Sequence, residues 1–325
     1  MKIGILTFHN ADNYGAVLQC YALQEHLKMQ YPDCEVNVID YRNNLIEYSY
    51  KIIRRRNSLY SNITQCINFP RIIKKRIQFK NFRNKYLNIG TSELSSYDVI
   101  YYGSDQIWNT TLTGNDLIYF GKNFEGKKIA YGASDGGEME FSDEIKKLLN
   151  SFSEITCRES TLSERIKNNN ITVPVKEVCD PVFLLSNEQW KHISVAPKYK
   201  GYILAYKIAD RPDFDNEVEE LGKKLNKPVI QIVYLKSLKK MIYKKQHFIE
   251  GISPEQFVGY FANADFVITT SFHGTAFSII FGKQLFVLSF GKRSERITEL
   301  LVNYKLENRY ISSVSEISNI KETME

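Results

Sequence analysis

Short apolar runs rich in β-branched residues alternate along this chain with segments of helical periodicity. Residues 2–8 form the first such run, residues 14–27 carry apolar side chains at helical spacing, and residues 35–40 (EVNVID) form a second run. A strand, a helix and a returning strand of this kind pack as a βαβ unit with parallel strands. The alternation therefore predicts an α/β fold.

The same alternation continues to about residue 302 and restarts once on the way. The predicted strands beyond the first unit are 98–102, 128–133, 154–157, 202–206, 229–234, 265–270 and 285–289. The predicted helices between them are 158–167, 214–225, 273–281 and 294–302, and Ser253, Pro254 and Gln256 predict a further helix start through a capping box. The rhythm changes near 181–200. We expect two open α/β domains with a shared cleft, residues 1–185 and 186–325, the second ending in a helix.

The positive charge of the chain is concentrated in one segment. The chain has 43 Lys and Arg against 37 Asp and Glu, yet residues 51–86 contain no acidic residue. The basic residues of this segment are Lys51, Arg54, Arg55, Arg56, Arg71, Lys74, Lys75, Arg76, Lys80, Arg83 and Lys85. Isoleucine, leucine and phenylalanine lie between them, a pattern that suits an anionic membrane surface. The segment is expected to be an insertion in the first domain. No nucleic-acid motif accompanies it, and a solvated helical hairpin packed on the domain is the alternative.

Several classes of protein are disfavoured by composition and spacing. The five cysteines are scattered and never in CxxC spacing, so neither a disulfide framework nor a zinc site is indicated, and no metal is expected. The first apolar run is too short for a signal peptide, and the longest, 277–290, is shorter than a bilayer span. We therefore expect a cytoplasmic protein.

Two loops that follow predicted strands in the first half carry groups suited to ligand binding. Ligands of doubly wound sheets sit beyond the carboxyl ends of strands. Asn13 and Gly15 open the first helix, whose N–H groups and dipole favour an anion, although an ordinary cap explains them equally well. Ser104, Asp105 and Gln106 offer donors and acceptors for sugar hydroxyls, against the alternative of a polar turn.

Two further strand ends carry a cation and an imidazole. Arg158 opens a helix and could grip a phosphate or carboxylate, although an ion pair with a neighbouring glutamate is the simpler interpretation. His273 lies between a hydrophobic strand and a hydrophobic helix, flanked by Ser271 and Gly274, where an imidazole could transfer protons near neutral pH. Lys292, Arg293 and Arg296 follow the next predicted strand and could add positive charge, or could form a solvated face.

Taken together, five motifs resemble the polysaccharide pyruvyl transferase family. They are GILTFHNADNYGAVLQCYAL at the start, GSDQIWN, CRES, DPVFLL and TSFHGTAFSIIFGKQ, in this order along nearly the whole chain. The resemblance implies two Rossmann-like domains in a GT-B-like arrangement with an interdomain cleft. It also implies phosphoenolpyruvate as donor substrate, no cofactor, and a sugar of a cell-surface polysaccharide or its lipid-linked precursor as acceptor, at or near the inner membrane surface.

The resemblance also assigns roles, with one departure. Family members commonly carry Arg-x-His at the strand end, whereas Ser271 stands at the arginine position here. We expect Arg158, Lys292, Arg293 or Arg296 to supply the missing charge.

The reaction needs an acid and an anion clamp. His273 is the expected proton donor, Asp105 the base or hydroxyl binder, and the helix starts at Gly15 and Gly274 the anion sites. The alternatives are a GT-B-type glycosyltransferase that uses a sugar nucleotide and a non-catalytic glycan- or phosphate-binding protein.

Overall fold

Two compact units make up the chain. The computed structural model describes residues 1–50, 59–137, 139–208, 211, 213–233, 247–288 and 295–317. The first unit comprises Met1–Lys51 and Phe79–Leu185, and the second comprises Ile52–Gln78 and Ser186–Glu325. Each unit contains its own parallel β-sheet flanked by helices.

The sheet of the first unit has seven strands among the described residues. They are β1 (Lys2–Leu6), β2 (Glu35–Ile39), β3 (Ile89–Gly90), β4 (Val99–Tyr102), β5 (Lys127–Ala133), β6 (Glu154–Cys157) and β7 (Val175–Glu177). Their spatial order is β3-β2-β1-β4-β5-β6-β7, and every neighbouring pair is parallel. The order reverses direction between β1 and β4. In a doubly wound sheet this switch point is where ligands bind.

Helices connect these strands and cover the sheet. They are α1 (Tyr14–Gln30), α2 (Asn44–Ser49), α3 (Leu59–Tyr86), α4 (Thr110–Thr113), α5 (Asp143–Leu149) and α6 (Ser160–Lys167). Side-chain caps fix several starts, because the oxygens of Asn13, Asn43 and Ser142 accept first-turn N–H groups. Trp108 is fully buried, stacks on Phe120, and donates its indole N–H to the Tyr119 carbonyl at 2.9 Å. This packing anchors the loop that follows β4.

The second unit repeats the same strand order. Its described strands are β8 (Ile203–Tyr206), β9 (Val229–Ile232), β10 (His247–Ile249), β11 (Phe266–Thr269), β12 (Gln284–Leu288) and β13 (Tyr310–Ile311), ordered β10-β9-β8-β11-β12-β13. Its described helices are α7 (Asn187–Ile193), α8 (Phe214–Leu225), α9 (Pro254–Asn263), α10 (Phe272–Ile280) and α11 (Glu295–Asn303). All its strand pairs are parallel, and its switch point lies between β8 and β11.

Most predicted helices and strands are confirmed, and for some of them both the first and the last residue agree with the prediction. The predicted helix 214–225 is α8, and Ser253 caps α9 in a capping box completed by Gln256. The predicted terminal helix is α11, but the chain continues into β13, which pairs with β12 at the edge of the sheet. Two-residue and three-residue edge strands such as β3 and β10 carry too short a pattern to be predicted from sequence.

The described part of the basic segment forms one long helix, α3, and not the helical hairpin considered as the alternative; residues 51–58 lie outside the described ranges. The segment was expected as an insertion in the first domain, whereas residues 59–78 group with the second unit. One cause is an ion pair within that unit, in which Arg71 Nε lies 3.0 Å from Glu250 Oε2. Neither α3 nor any other helix of the described ranges is long and apolar enough to cross a membrane.

Candidate functional site

A buried hydrogen-bond chain joins the two switch-point loops of the first unit. Thr7, just after β1, donates its hydroxyl to the Ser104 carbonyl at 2.8 Å. Gln19 of α1 donates to the Thr7 hydroxyl at 2.9 Å and accepts the Ser104 N–H at 3.2 Å. All three side chains are buried. The loop after β4 is therefore held against β1 and α1 by these three buried hydrogen bonds.

Asp105 projects from this loop in an unusual backbone conformation. Its φ is +77°, its carbonyl accepts the Ser134 N–H at 3.2 Å, and it forms an isolated bridge with Ala133. The carboxylate is half-buried, and Oδ1 accepts the N–H of Gln106, also half-buried, at 2.8 Å. A non-glycine residue with positive φ costs free energy and is enriched at functional sites. The structure thus brings Ser104, Asp105 and Gln106 together at the switch point.

Gly103 makes this loop possible. Its φ is +119°, and a Cβ there would lie 2.6 Å from the Tyr131 carbonyl oxygen. The peptide bond between Gly103 and Ser104 is cis. Only glycine combines a φ of +119° with such a close approach to β5. The polar residues after it are positioned by sterics as well as by hydrogen bonds.

Arg158 lies after β6 and is enclosed by carboxylates. Its guanidinium is buried, with Nη1 2.6 Å from Asp180 Oδ2 and Nε 3.4 Å from Glu159 Oε1. Burial acts to lower the pKa of Arg158, but the charges of Glu159, Asp180 and Asp105 outweigh it, and the pKa lies above its ordinary value. These two carboxylates balance the positive charge of Arg158 within the first unit. Its predicted role in binding a donor anion stays a prediction.

The predicted anion sites at two helix starts are occupied by caps. Exposed Asn13 accepts the Gly15 N–H at 2.9 Å and the Ala16 N–H at 3.5 Å through Oδ1. At α10, the Ser271 hydroxyl accepts the Gly274 N–H at 3.3 Å. Side chains thus already satisfy the N–H groups of Gly15 and Gly274. Anion binding by these two groups stays a prediction.

His273 lies at the switch point of the second unit. It is the second residue of α10, directly beyond β11, and it is half-buried with its ring 5.3 Å from the ring of Phe272. A Cβ on Gly274 would lie 2.4 Å from Thr269 Oγ1, so glycine lets α10 start against β11. Ser271, which stands where the family's arginine would be, is the N-cap of α10. The serine therefore has a local structural role.

Of the three cations predicted near His273, only Arg296 is described. Lys292 and Arg293 lie outside the described residues. Arg296 is half-buried in the first turn of α11. Within the described ranges, no three His, Cys, Asp or Glu side chains lie close enough to hold a metal ion. The absence of a metal requirement stays a prediction.

Two further residues at the switch points were given no role from the sequence. His9, after β1, is buried, with Nε2 3.1 Å from Asp40 Oδ1. Burial lowers the pKa of His9, although Asp40 opposes the shift. Lys207, after β8, has Nζ 3.6 Å from Asp215 Oδ1 and donates to the Arg211 carbonyl at 3.2 Å. Both residues directly follow predicted strands, and that position alone was the signal that could have identified them.

Comparison with known proteins bears on both the fold and the family. A family model described as "Polysaccharide pyruvyl transferase" matches residues 13–291. Among solved structures, S. aureus MnaA with UDP is similar with a TM-score of 0.50 at 11% identity, covering 97% of this chain and 94% of the other. UDP-GlcNAc 2-epimerase from Methanocaldococcus jannaschii has a TM-score of 0.50 at 12% identity, covering 96% and 88%. The search of curated proteins found no match. The two sheets and these similarities confirm the predicted Rossmann-like, GT-B-like domains.

Proposed function

Because this chain belongs to the polysaccharide pyruvyl transferase family, we propose that it transfers the pyruvyl group of phosphoenolpyruvate to two hydroxyls of one sugar residue. The products are a cyclic pyruvate ketal and inorganic phosphate. The observation that carries the proposal is the family match over residues 13–291, which includes the switch-point loops that follow β4 and β11. The acceptor is a sugar of a cell-surface polysaccharide, free or on a lipid-linked precursor.

The chemistry requires two proton movements and an anion clamp. The methylene carbon of the enol phosphate gains a proton, which turns C2 into an oxocarbenium-like cation that one sugar hydroxyl attacks. Phosphate then leaves with its bonding pair, and the second hydroxyl closes the ketal. Each hydroxyl gives up one proton: one balances the new methyl group and the other leaves with phosphate. A positioned acid and base accelerate such steps by about 10²–10⁴-fold.

His273 is assigned the proton donation. The residue is half-buried at the end of β11, in the first turn of α10, with Nε2 of its imidazole turned away from the surface. Histidine is the side chain whose ordinary pKa, about 6.5, lies closest to neutral pH. The proton passes from the imidazole to the methylene carbon, or to the leaving phosphate oxygen.

Asp105 is assigned the binding and deprotonation of an acceptor hydroxyl. Its half-buried carboxylate is fixed by the Gln106 N–H and lies in a loop held by buried hydrogen bonds. The hydroxyl of Ser104 donates to the Gly132 carbonyl at 2.8 Å, so its part is to hold the loop in shape. The half-buried amide of Gln106 is assigned to the sugar.

Asp105→Asn is expected to lower acceptor-dependent turnover by about 10²-fold, the low end of the range for a lost general base, with little change in phosphoenolpyruvate affinity. Asparagine tolerates the positive φ of this position and keeps an oxygen for the Gln106 N–H, so the loop retains its shape while the base is lost. Steady-state kinetics with varied acceptor measure the effect. Asp143→Asn, at an exposed position of α5, is the matched control. Turnover of Asp105→Asn within threefold of the parent would remove the assignment.

The reaction itself is tested by incubation with phosphoenolpyruvate and a panel of synthetic and lipid-linked glycans. We expect phosphate release that depends on the acceptor, and a product heavier by one pyruvylidene group in mass spectrometry. Release of a nucleotide from a sugar nucleotide, without phosphate from phosphoenolpyruvate, would instead indicate a glycosyltransferase. Glycan binding without either release would indicate a non-catalytic protein.

Chelation with EDTA is expected to leave this phosphate release unchanged. The residues assigned to the reaction supply protons and hydrogen bonds, and no group of three metal-ligating side chains occurs in the described ranges. The measurement is initial rate after dialysis against EDTA. A lost rate that Mg²⁺ or Mn²⁺ restores would contradict the expectation.

A further inference from the structure

Helix α3 has one buried face and one exposed face of unusual composition. Phe79 and Phe82 are fully buried, and Lys75 and Arg83 are buried with them. Arg83 pairs with Asp12 at 3.1 Å, which accounts for one of the buried cations. No Asp or Glu occurs between Leu59 and Tyr86. The exposed face therefore carries no acidic side chain.

The exposed face combines apolar and basic side chains on one arc. A helix turns about 100° per residue, so Phe69, Ile73, Arg76, Ile77 and Lys80 fall within about 100° of one another. Phe69 is 40% and Ile77 51% exposed, and Ile73 is half-buried between them. Arg76 and Lys80 are exposed beside them. This arc is called the basic-apolar face below.

One edge of the basic-apolar face adds a further positive charge. Lys74 is exposed and lies about 60° beyond Ile77 around the helix, on the side opposite Phe79. Large apolar residues set among cations on a surface helix match the boundary between lipid headgroups and acyl chains. Duplex nucleic acid is bound through its phosphates by cations, which gives no reason for an exposed phenylalanine beside isoleucines.

We propose that the basic-apolar face docks the protein on an anionic lipid bilayer. The helix lies in the plane of the surface, with Phe69, Ile73 and Ile77 at the headgroup boundary and Arg76 and Lys80 on the lipid phosphates. This is peripheral binding to one leaflet. The inference goes beyond the proposed reaction and is independent of it, because its test measures binding and not turnover.

The test is co-sedimentation of the full chain with vesicles of phosphatidylcholine alone or mixed with phosphatidylglycerol. We expect binding to the mixed vesicles only, weakened on going from about 0.05 M to about 0.5 M salt. Each basic residue near an anionic surface contributes about fivefold in affinity, so Arg76→Ala with Lys80→Ala should lower it by about 25-fold. Phe69→Ser with Ile77→Ser should weaken it at both salt concentrations.

Matched controls separate this face from general charge and hydrophobicity. Lys147→Ala with Lys167→Ala removes the same charge from exposed positions of α5 and α6. Met29→Ser with Val302→Ser removes two side chains that are 53% and 51% exposed. Both control pairs should bind mixed vesicles like the parent, and thermal unfolding should show all four pairs folded.

Three outcomes would overturn the proposal. The first is equal binding to neutral and mixed vesicles, or none to either. The second is an equal loss in the control pairs. The third is binding to duplex nucleic acid that Arg76→Ala with Lys80→Ala abolishes and Phe69→Ser with Ile77→Ser leaves intact, without vesicle binding; this result would assign the face to nucleic acid.

Discussion

Replacing His273 with alanine is expected to lower kcat for pyruvyl transfer by about 10²–10⁴-fold, the range for a lost general acid. The imidazole is half-buried in the first turn of α10, and alanine is a good helix former, so the fold should survive. The loss should fall on kcat more than on the KM for phosphoenolpyruvate, because proton donation acts in the transition state. The measurement is acceptor-dependent phosphate release at saturating donor.

A second histidine provides the control for this variant. His192 is exposed on α7, outside the switch-point loops, and His192→Ala should turn over like the parent. Thermal unfolding of both variants checks that each remains folded. If His273→Ala kept kcat within threefold of the parent, His273 could not be the acid. If both variants lost activity equally, the effect would not be specific to the end of β11.

Asp180→Asn is expected to destabilise the protein by about 3 kcal/mol, the low end of the cost of removing one partner of a buried ion pair. Asp180 is fully buried and lies 2.6 Å from the Arg158 guanidinium. The Arg158 side chain is only 3% exposed, so water cannot replace the lost negative charge. The low end applies because Glu159 stays beside the guanidinium. Asparagine keeps an acceptor for the Val182 N–H, so the change isolates the charge from the cap. Urea denaturation gives the free energy of unfolding.

An exposed ion pair on the same sheet supplies the comparison. Lys176 Nζ lies 3.3 Å from Glu154 Oε1 with both side chains largely exposed, so Glu154→Gln should cost less than about 1 kcal/mol. If Asp180→Asn also lowered the free energy of unfolding by less than about 1 kcal/mol, the Arg158 charge would be solvated.

The secondary structure and the locations of the switch-point loops were predictable because they depend on local patterns. β-branched runs with polar ends predicted β1 and β11, and the serine, proline and glutamine at 253–256 predicted the start of α9. The strand-end rule then placed Asp105 and His273 where the two sheets reverse direction. Edge strands such as β13 escaped prediction, because two residues carry no periodicity.

Contacts between distant residues were not predictable in the same way. The sequence offered Arg158 a neighbouring glutamate, whereas the folded chain also gives it Asp180, 22 residues further along. His9 meets Asp40 and Gln19 meets Ser104 because parallel pairing of β1 with β2 and with β4 brings those strand ends together. The two residues of each pair lie far apart in the chain, so no local sequence pattern links them.

The sequence by itself determined the α/β alternation, the polar strand-end loops and the basic composition of residues 51–86, because periodicity and charge are local properties of the chain. Only the tertiary structure decided that Arg158 is enclosed by carboxylates and that residues 59–78 group with the second unit. It also decided that α3 buries Phe79 and Phe82 while exposing Phe69 and Ile77. The physical reason is that burial and ion pairing depend on which surfaces the strand order and the helix packing bring together.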